Sequence, residues 1–198
     1  MTTFTDTFSG ASLGSDWAAP AVSENPSTPS VSGGVASGGG SSARVVSALD
    51  TGVITITVVI PTAPSDYASV GLLFLDGTSQ NGYTMYYRKE PGSAQVFFSR
   101  YDAGTSTGIA NEFVSAPSFP MTLVSTYDPS TDTFTLTHNG TPATSRTNST
   151  YTNLTRAGFA LDSDMALTSF SVDPVVGGLV LPAIDYSTHP KMQFVNRP

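Results

Sequence analysis

The sequence predicts an all-β fold built as a sandwich of two antiparallel sheets. Three observations predict it: alternating polar and apolar segments recur, turn residues separate them, and no segment carries apolar residues at helical spacing over ten or more positions. Eight or more short strands with almost no helix are typical of a sandwich, and a closed barrel is the alternative. The 198 residues suffice for one core, and the chain contains no cysteine.

The first half of the chain carries four strand signals. Residues 53–60 alternate aliphatic residues with threonines, and the aliphatic residues are Ile54, Ile56, Val58 and Ile60. Residues 69–75 are almost continuously apolar and end at Asp76-Gly77, a turn signal. Residues 83–89 and 95–101 follow after further turns, so these three neighbouring segments predict an antiparallel meander.

The second half carries four more strand signals. Residues 121–127 and 133–138 flank a polar turn at 128–132 and predict a hairpin. Residues 157–161 and 167–172 predict two further strands, whose core side chains are Phe159, Leu161, Phe170 and Val172.

Two segments depart from this pattern. Residues 18–43 are rich in Ala, Pro, Ser and Gly, and they predict loops with one short strand. They follow the core candidates Phe8 and Trp17, so we place them inside the same domain. Residues 174–198 carry proline at positions 174, 182, 190 and 198, which prevents a regular helix or a central strand.

The C-terminal segment is also apolar, and exposed apolar surface is costly in water. It either wraps its own domain or docks on a neighbouring subunit as an extended arm. We favour the arm, because the predicted sandwich is already complete at Val172. The sequence thus predicts a domain at 1–173 and an arm at 174–198, with partner-binding side chains at Leu179, Leu181, Ile184, Tyr186, Met192 and Phe194.

The charge pattern argues against nucleic acid as a partner. The net charge is −7 and only 12% of the residues are charged, whereas a phosphate backbone is bound mainly through Lys and Arg. The N-terminus has no basic region followed by an apolar stretch, so we expect synthesis without a signal peptide. The longest apolar run is too short to cross a bilayer, so we expect no membrane partner.

No residue pattern indicates an active site, so we expect no enzymatic activity. Glycoside hydrolysis needs paired carboxyl groups, but the three glutamates fall in predicted loops: Glu24, Glu90 and Glu112. His138 and His189 lack a nucleophile elbow and are too few for a histidine metal site. We expect no cofactor; Ca²⁺ is the one ion that loop oxygens could hold, and its candidate ligands are Asp76, Asp128, Asp162 and Asp164.

The remaining chemical feature is a cluster of tyrosines around the meander, at positions 67, 83, 86, 87 and 101. Tyrosine rings on a sheet face can stack on sugar rings while their hydroxyls bond to sugar oxygens. Strand alternation sends about half of them into the core, and it places Tyr86 and Arg88 on the face opposite Met85. Tyr86, Arg88 and Tyr67 are therefore the candidate glycan-binding residues.

One motif at the N-terminus resembles a known family. Asp6-Thr7-Phe8 followed by Leu13-Gly14-Ser15-Asp16-Trp17 resembles the D-x-F and L-G-x-x-W opening of laminin-G-like, concanavalin A-like jelly-roll domains found in virion structural proteins of tailed bacteriophages. Ala157-Gly158-Phe159-Ala160-Leu161 before residues 167–172 is similar to their closing strand pair, and the resemblance covers residues 4–173. It implies a two-sheet jelly roll, a fold that serves sugar-binding modules, glycan hydrolases and virion surface parts.

Together these features predict a non-enzymatic virion structural protein of a tailed bacteriophage, as a head-decoration or tail-surface component. We expect it to be made in the host cytoplasm, to lie at the virion surface, and to be anchored by its C-terminal arm to major capsid or tail subunits or to its own copies. The alternative is a carbohydrate-binding or adhesin module that recognises a cell-surface glycan through the tyrosine face.

Overall fold

A computed structural model of the chain describes residues 3–18, 20, 27–38, 42–46, 52–77 and 80–174. These residues form sixteen β-strands and no helix that could cross a membrane. In the first half the strands are β1 Phe4–Asp6, β2 Trp17–Ala18, β3 Ser30–Ser32, β4 Val35–Ser37, β5 Ser42–Val46, β6 Ile54–Ile60, β7 Ser69–Asp76 and β8 Gly82–Glu90. In the second half they are β9 Ser93–Asp102, β10 Thr105–Val114, β11 Met121–Asp128, β12 Thr133–His138, β13 Thr141–Thr147, β14 Leu154–Leu161, β15 Ala166–Leu167 and β16 Ser169–Pro174.

The strands form two main antiparallel sheets, as the alternation predicts. In the described residues, one sheet has six strands in the order β1-β16-β6-β11-β12-β13, and the other has seven in the order β10-β9-β8-β7-β14-β5-β2. A small sheet of β15, β4 and β3 accompanies them. The predicted sandwich is confirmed, whereas the barrel alternative is wrong because the strands belong to separate sheets rather than to one closed sheet.

The core lies between the two main sheets and follows the sequence alternation. Strand β6 buries its four aliphatic side chains in the predicted pattern, and β8 buries Tyr83, Met85 and Tyr87. The predicted core residues of β14 and β16 are buried as well, as are Phe8 and Trp17. The meander is confirmed, since β7, β8 and β9 are hydrogen-bonded neighbours, and β10 extends it by one strand.

Several strands do not follow from the sequence pattern. β10 and β13 are edge strands of their sheets and are largely exposed, so they lack the alternation that a half-buried strand shows. Pro142 lies in β13 next to a register shift, a position that an edge strand tolerates. The single short strand expected within residues 18–43 is also corrected, because β3, β4 and the start of β5 all fall there.

The N-terminal motif links the two sheets through one carboxylate. Asp6 ends β1, and its Oδ2 accepts a hydrogen bond of 2.7 Å from the indole Nε1 of Trp17 in β2. Its Oδ1 accepts one of 2.7 Å from the backbone N–H of Phe8, whose φ of 54° is unusual for an aromatic residue. The Trp17 ring packs edge-on against Phe4, Phe159 and Phe170. The D-x-F and L-G-x-x-W residues thus close one edge of the sandwich.

The chain's last described strand completes the six-stranded sheet. In β16, Val172 pairs with Ile56 on one side and with Phe4 on the other, and Pro174 pairs with Ile54. The segment 175–198 lies outside the described residues. The predicted arm, its six partner-binding side chains and the boundary at 173/174 therefore stay predictions.

Candidate functional site

The seven-stranded sheet has a second face, turned away from the main core, which we call the outer face. On β7, β8 and β9, alternate side chains enter the main core, and the residues between them point to this face. Its side chains are Leu73, Leu75, Thr84, Tyr86, Arg88, Glu90, Gln95, Phe97, Ser99 and Tyr101. Leu73, Leu75 and Tyr101 form a small apolar cluster of their own, with Ala160 of β14 against it.

Two tyrosines cover one half of the outer face. The Tyr86 and Tyr101 hydroxyls lie 2.9 Å apart and share a hydrogen bond. The Tyr86 ring occupies the space above Gly71, where a Cβ would lie 2.5 Å from Tyr86 Cε1. Glycine at this mid-strand position therefore lets the ring lie across the sheet. This half of the face is filled by the protein's own rings.

The other half of the outer face is organised around Arg88. Its Nε donates to Glu90 Oε1 at 2.6 Å, and its Nη2 donates to Gln95 Oε1 at 2.7 Å. The guanidinium carbon lies 4.7 Å from the centroid of the Phe97 ring, within the range of a cation–π contact. Glu90 and Gln95 are almost fully buried, so they hold the guanidinium in one orientation.

Two exposed aromatic rings lie beside the group formed by Arg88, Glu90, Gln95 and Phe97, which we call the Arg88 group. Phe113 of β10 is 70% exposed, and its register partner on β9 is Gln95. Tyr67 is 61% exposed and lies at the same end of the sheet, because its backbone N–H donates to the Lys89 carbonyl at 2.7 Å. Its φ of 71° is rare for an aromatic residue, and such backbone conformations are concentrated at binding sites.

The structure thus brings together two of the three residues that the sequence nominates. Tyr86 and Arg88 share the outer face, and Tyr67 lies at its edge. Sequence reasoning missed Glu90, Gln95, Phe97 and Phe113. The signal for Gln95 and Phe97 is their position between the core residues of β9, but their proximity to Arg88 depends on the β8–β9 register, which sequence alone does not supply.

Two of the three glutamates that were considered for catalysis form ion pairs with arginines. Glu90 ends β8 and pairs with Arg88, and Glu112 lies on β10 and pairs with Arg146 at 2.9 Å, so their prediction as loop residues is wrong. Glu24 lies outside the described residues. No group of three or more metal-ligating side chains occurs in the described ranges.

The four aspartates proposed for Ca²⁺ are distributed over three turns, and only Asp162 and Asp164 share one. Asp162 accepts hydrogen bonds from the Ser69 N–H at 3.0 Å and hydroxyl at 2.5 Å, and so fixes the start of β7. Asp128 accepts from the Ser130 hydroxyl at 2.7 Å and N–H at 2.9 Å, and these bonds lower the pKa of its carboxyl. Asp76 interacts with Asn81, whereas Asp164 is exposed.

His138 lies at the end of β12 and is buried, so its imidazole packs within the fold. Burial lowers the pKa of its imidazole, because the charged form loses its hydration. The same cause raises the pKa of the buried Tyr87 hydroxyl to about 12. Neither group faces the outer surface, so neither contributes to the site described above.

No protein-family model and no curated protein sequence matches the chain. Solved structures match it in fold. A prokaryotic β-1,3-1,4-glucanase (lichenase) derived from a mouse hindgut metagenome aligns with a TM-score of 0.59 at 8% identity, over 88% of this chain and 100% of that chain. The carbohydrate recognition domain of Emp47p aligns with a TM-score of 0.58 at 11% identity, over 88% and 95%.

A third similar structure is the CBM2 module of the evolved Dit of Lactobacillus casei BL23 phage J-1. It aligns with a TM-score of 0.51 at 12% identity, over 85% of this chain and 93% of that chain. At these identities the likeness concerns the backbone arrangement alone. Together with the two antiparallel sheets, it establishes that the chain folds as a concanavalin A-like jelly-roll sandwich.

Proposed function

We propose that the protein is a non-catalytic glycan-binding module that uses the outer face of its seven-stranded sheet. The observation that carries the proposal is the Arg88 group: a guanidinium fixed over Phe97 by Glu90 and Gln95, with the exposed Phe113 beside it. Sugars present apolar ring faces edged with hydroxyl groups. Aromatic rings and fixed polar groups on one surface suit both parts of such a ligand.

The structural likeness is compatible with binding or with hydrolysis, and the carboxylates of the sheet favour binding. The structures with the same fold include the carbohydrate recognition domain of Emp47p, although they also include a glucanase. A glycosidase places two carboxyl groups across the bond it cleaves. On this sheet, the glutamates of β8 and β10 are each paired with an arginine, and the strand register places them on opposite faces, so the two do not form such a pair.

A glycan array read with wild-type protein and two variants tests the proposal. We expect wild type to bind at least one glycan, and both Phe97→Ala and Arg88→Ala to lower its affinity about tenfold or more, as loss of a central contact does. The matched control is Phe134→Leu, which alters an aromatic residue of the main core and leaves the outer face intact. Absence of binding to any glycan, or equal binding by all proteins, would refute the proposal.

We also propose a setting for this module, as a virion surface component of a tailed bacteriophage anchored by residues 174–198. The likeness to a phage Dit module supports it, as does the apolar, proline-containing composition of that segment. We expect a chain ending after Pro174 to remain folded, because β16 already completes its sheet, yet to be absent from assembled particles. Mass spectrometry of purified particles, with separated heads and tails, measures this directly. Incorporation of the shortened chain at the wild-type level would contradict the anchoring role.

A further inference from the structure

The ion pair between Arg88 and Glu90 determines how much positive charge the outer face presents to a ligand. Arg88 is the outer-face cation of β7, β8 and β9, and its Nη2 lies 2.6 Å from Glu90 Oε1. A guanidinium and a carboxylate at this distance largely offset each other's charge for a ligand that approaches from solvent. Gln95, the third member of the group, is neutral. The group therefore offers directed hydrogen bonds without a net positive charge.

The hydrogen bonds of Arg88 leave one nitrogen available for a ligand. Nε and Nη2 are engaged with Glu90 and Gln95, and Nη1 forms no hydrogen bond within the described part of the chain. Its N–H groups are fixed in direction, because the ring of Phe97 supports the guanidinium from one side. Such a donor suits a hydroxyl or ring oxygen, which needs geometry more than charge.

The rest of the molecule acts against an anionic ligand. The net charge is −7, so a carboxylate or sulfate approaches a negative protein. At the site, the Arg88 charge that would attract it is already offset by the Glu90 carboxylate. A neutral sugar does not need that attraction, and it can bond to Nη1 and pack on Phe113.

We infer that the outer face selects neutral glycans over glycans that carry carboxylate or sulfate groups, and that Glu90 is the residue that sets this selectivity. The inference rests on the proposed glycan-binding function and names its ligand class. It assigns Glu90 a double role: it orients Arg88, and it offsets the positive charge of Arg88 that would otherwise attract an anionic ligand.

The test compares length-matched oligosaccharides of neutral hexoses and of the corresponding hexuronic acids, at low ionic strength where charge effects are largest. For wild type we expect the uronic acid form of the preferred sugar to bind about 3- to 10-fold more weakly, because the negatively charged protein repels it and the Arg88 charge is already offset by Glu90. Glu90→Gln keeps the oxygen that accepts from Arg88 and removes the charge. In this variant the preference should disappear or reverse.

Asp128→Asn is the matched control, because it changes the net charge by the same amount at the end of β11, in the other sheet. It should keep the wild-type preference. Wild type that prefers hexuronates, or Glu90→Gln that keeps the wild-type ratio, overturns the inference while leaving glycan binding itself intact. Failure of wild type to bind any sugar in either series overturns the inference and the proposed function together.

Discussion

Single carboxylates hold this sandwich at points where the backbone departs from regular strand geometry. Asp6 is the clearest case, since its two oxygens accept from the Trp17 indole and from the Phe8 N–H. A hydrogen bond to a charged acceptor is stronger than one between neutral groups, and losing it leaves a donor without a partner. The spacing of Asp6, Phe8 and Trp17 in the sequence therefore has a structural reason, independent of any ligand.

We predict that Asp6→Ala lowers the free energy of unfolding by about 2 kcal/mol or more, because two hydrogen bonds to a charged group are lost. Urea denaturation followed by Trp17 fluorescence measures this. The control is Asp16→Ala, a substitution at an exposed aspartate in the same motif, which should change stability by less than about 0.5 kcal/mol. Equal stability of the two variants would contradict the structural role of Asp6.

His138 gives the fold a dependence on pH. Burial lowers the pKa of its imidazole, so between that value and the ordinary one near 6.5 the unfolded chain binds a proton that the folded chain does not. The unfolded state is favoured as pH falls through this window. We predict that the free energy of unfolding of wild type falls more steeply between pH 7 and pH 5 than that of His138→Leu, because the variant lacks the buried imidazole. Urea midpoints across this pH range test the prediction, and identical slopes would contradict it.

At the scale of elements, the open edge of the sandwich is closed by an ion pair between the two sheets. Glu112 on β10 and Arg146 on β13 occupy edge strands of opposite sheets and lie 2.9 Å apart. Both side chains are about one-third exposed, so water and salt screen their attraction. The pair therefore aligns the two edges more than it stabilises the fold.

We predict a coupling energy below about 1 kcal/mol between Glu112→Gln and Arg146→Gln in a double-mutant cycle, falling further in high salt. Thermal or urea denaturation of the four proteins provides the measurement. A coupling of several kcal/mol that persists in high salt would show that the pair behaves as a buried one.

The elements also show what the sequence could and could not predict. Strands with one buried face, such as β6 and β12, carry the two-residue period and were predicted nearly to their ends. The exposed edges β10 and β13 carry no such period, because few of their side chains enter the core. For the site, alternation along β8 places Tyr86 and Arg88 on one face, but the contact of Arg88 with Phe97 requires the register between strands.

At the scale of the whole molecule, the two faces of the seven-stranded sheet differ in what they pack against. The inner face packs against the six-stranded sheet and makes the main core. The outer face carries one half closed by Tyr86 and Tyr101 and one half built from Arg88, Glu90, Gln95 and Phe97.

Sugar binding at the outer face is tested most directly by NMR. Amide chemical-shift changes locate the bound sugar, and the ligand is the neutral oligosaccharide that binds most tightly in the array. We predict the largest changes in β8 near Arg88, in β9 near Phe97 and in β10 near Phe113, with the six-stranded sheet nearly unchanged. Changes confined to the six-stranded sheet, or no change at saturating sugar, would contradict it.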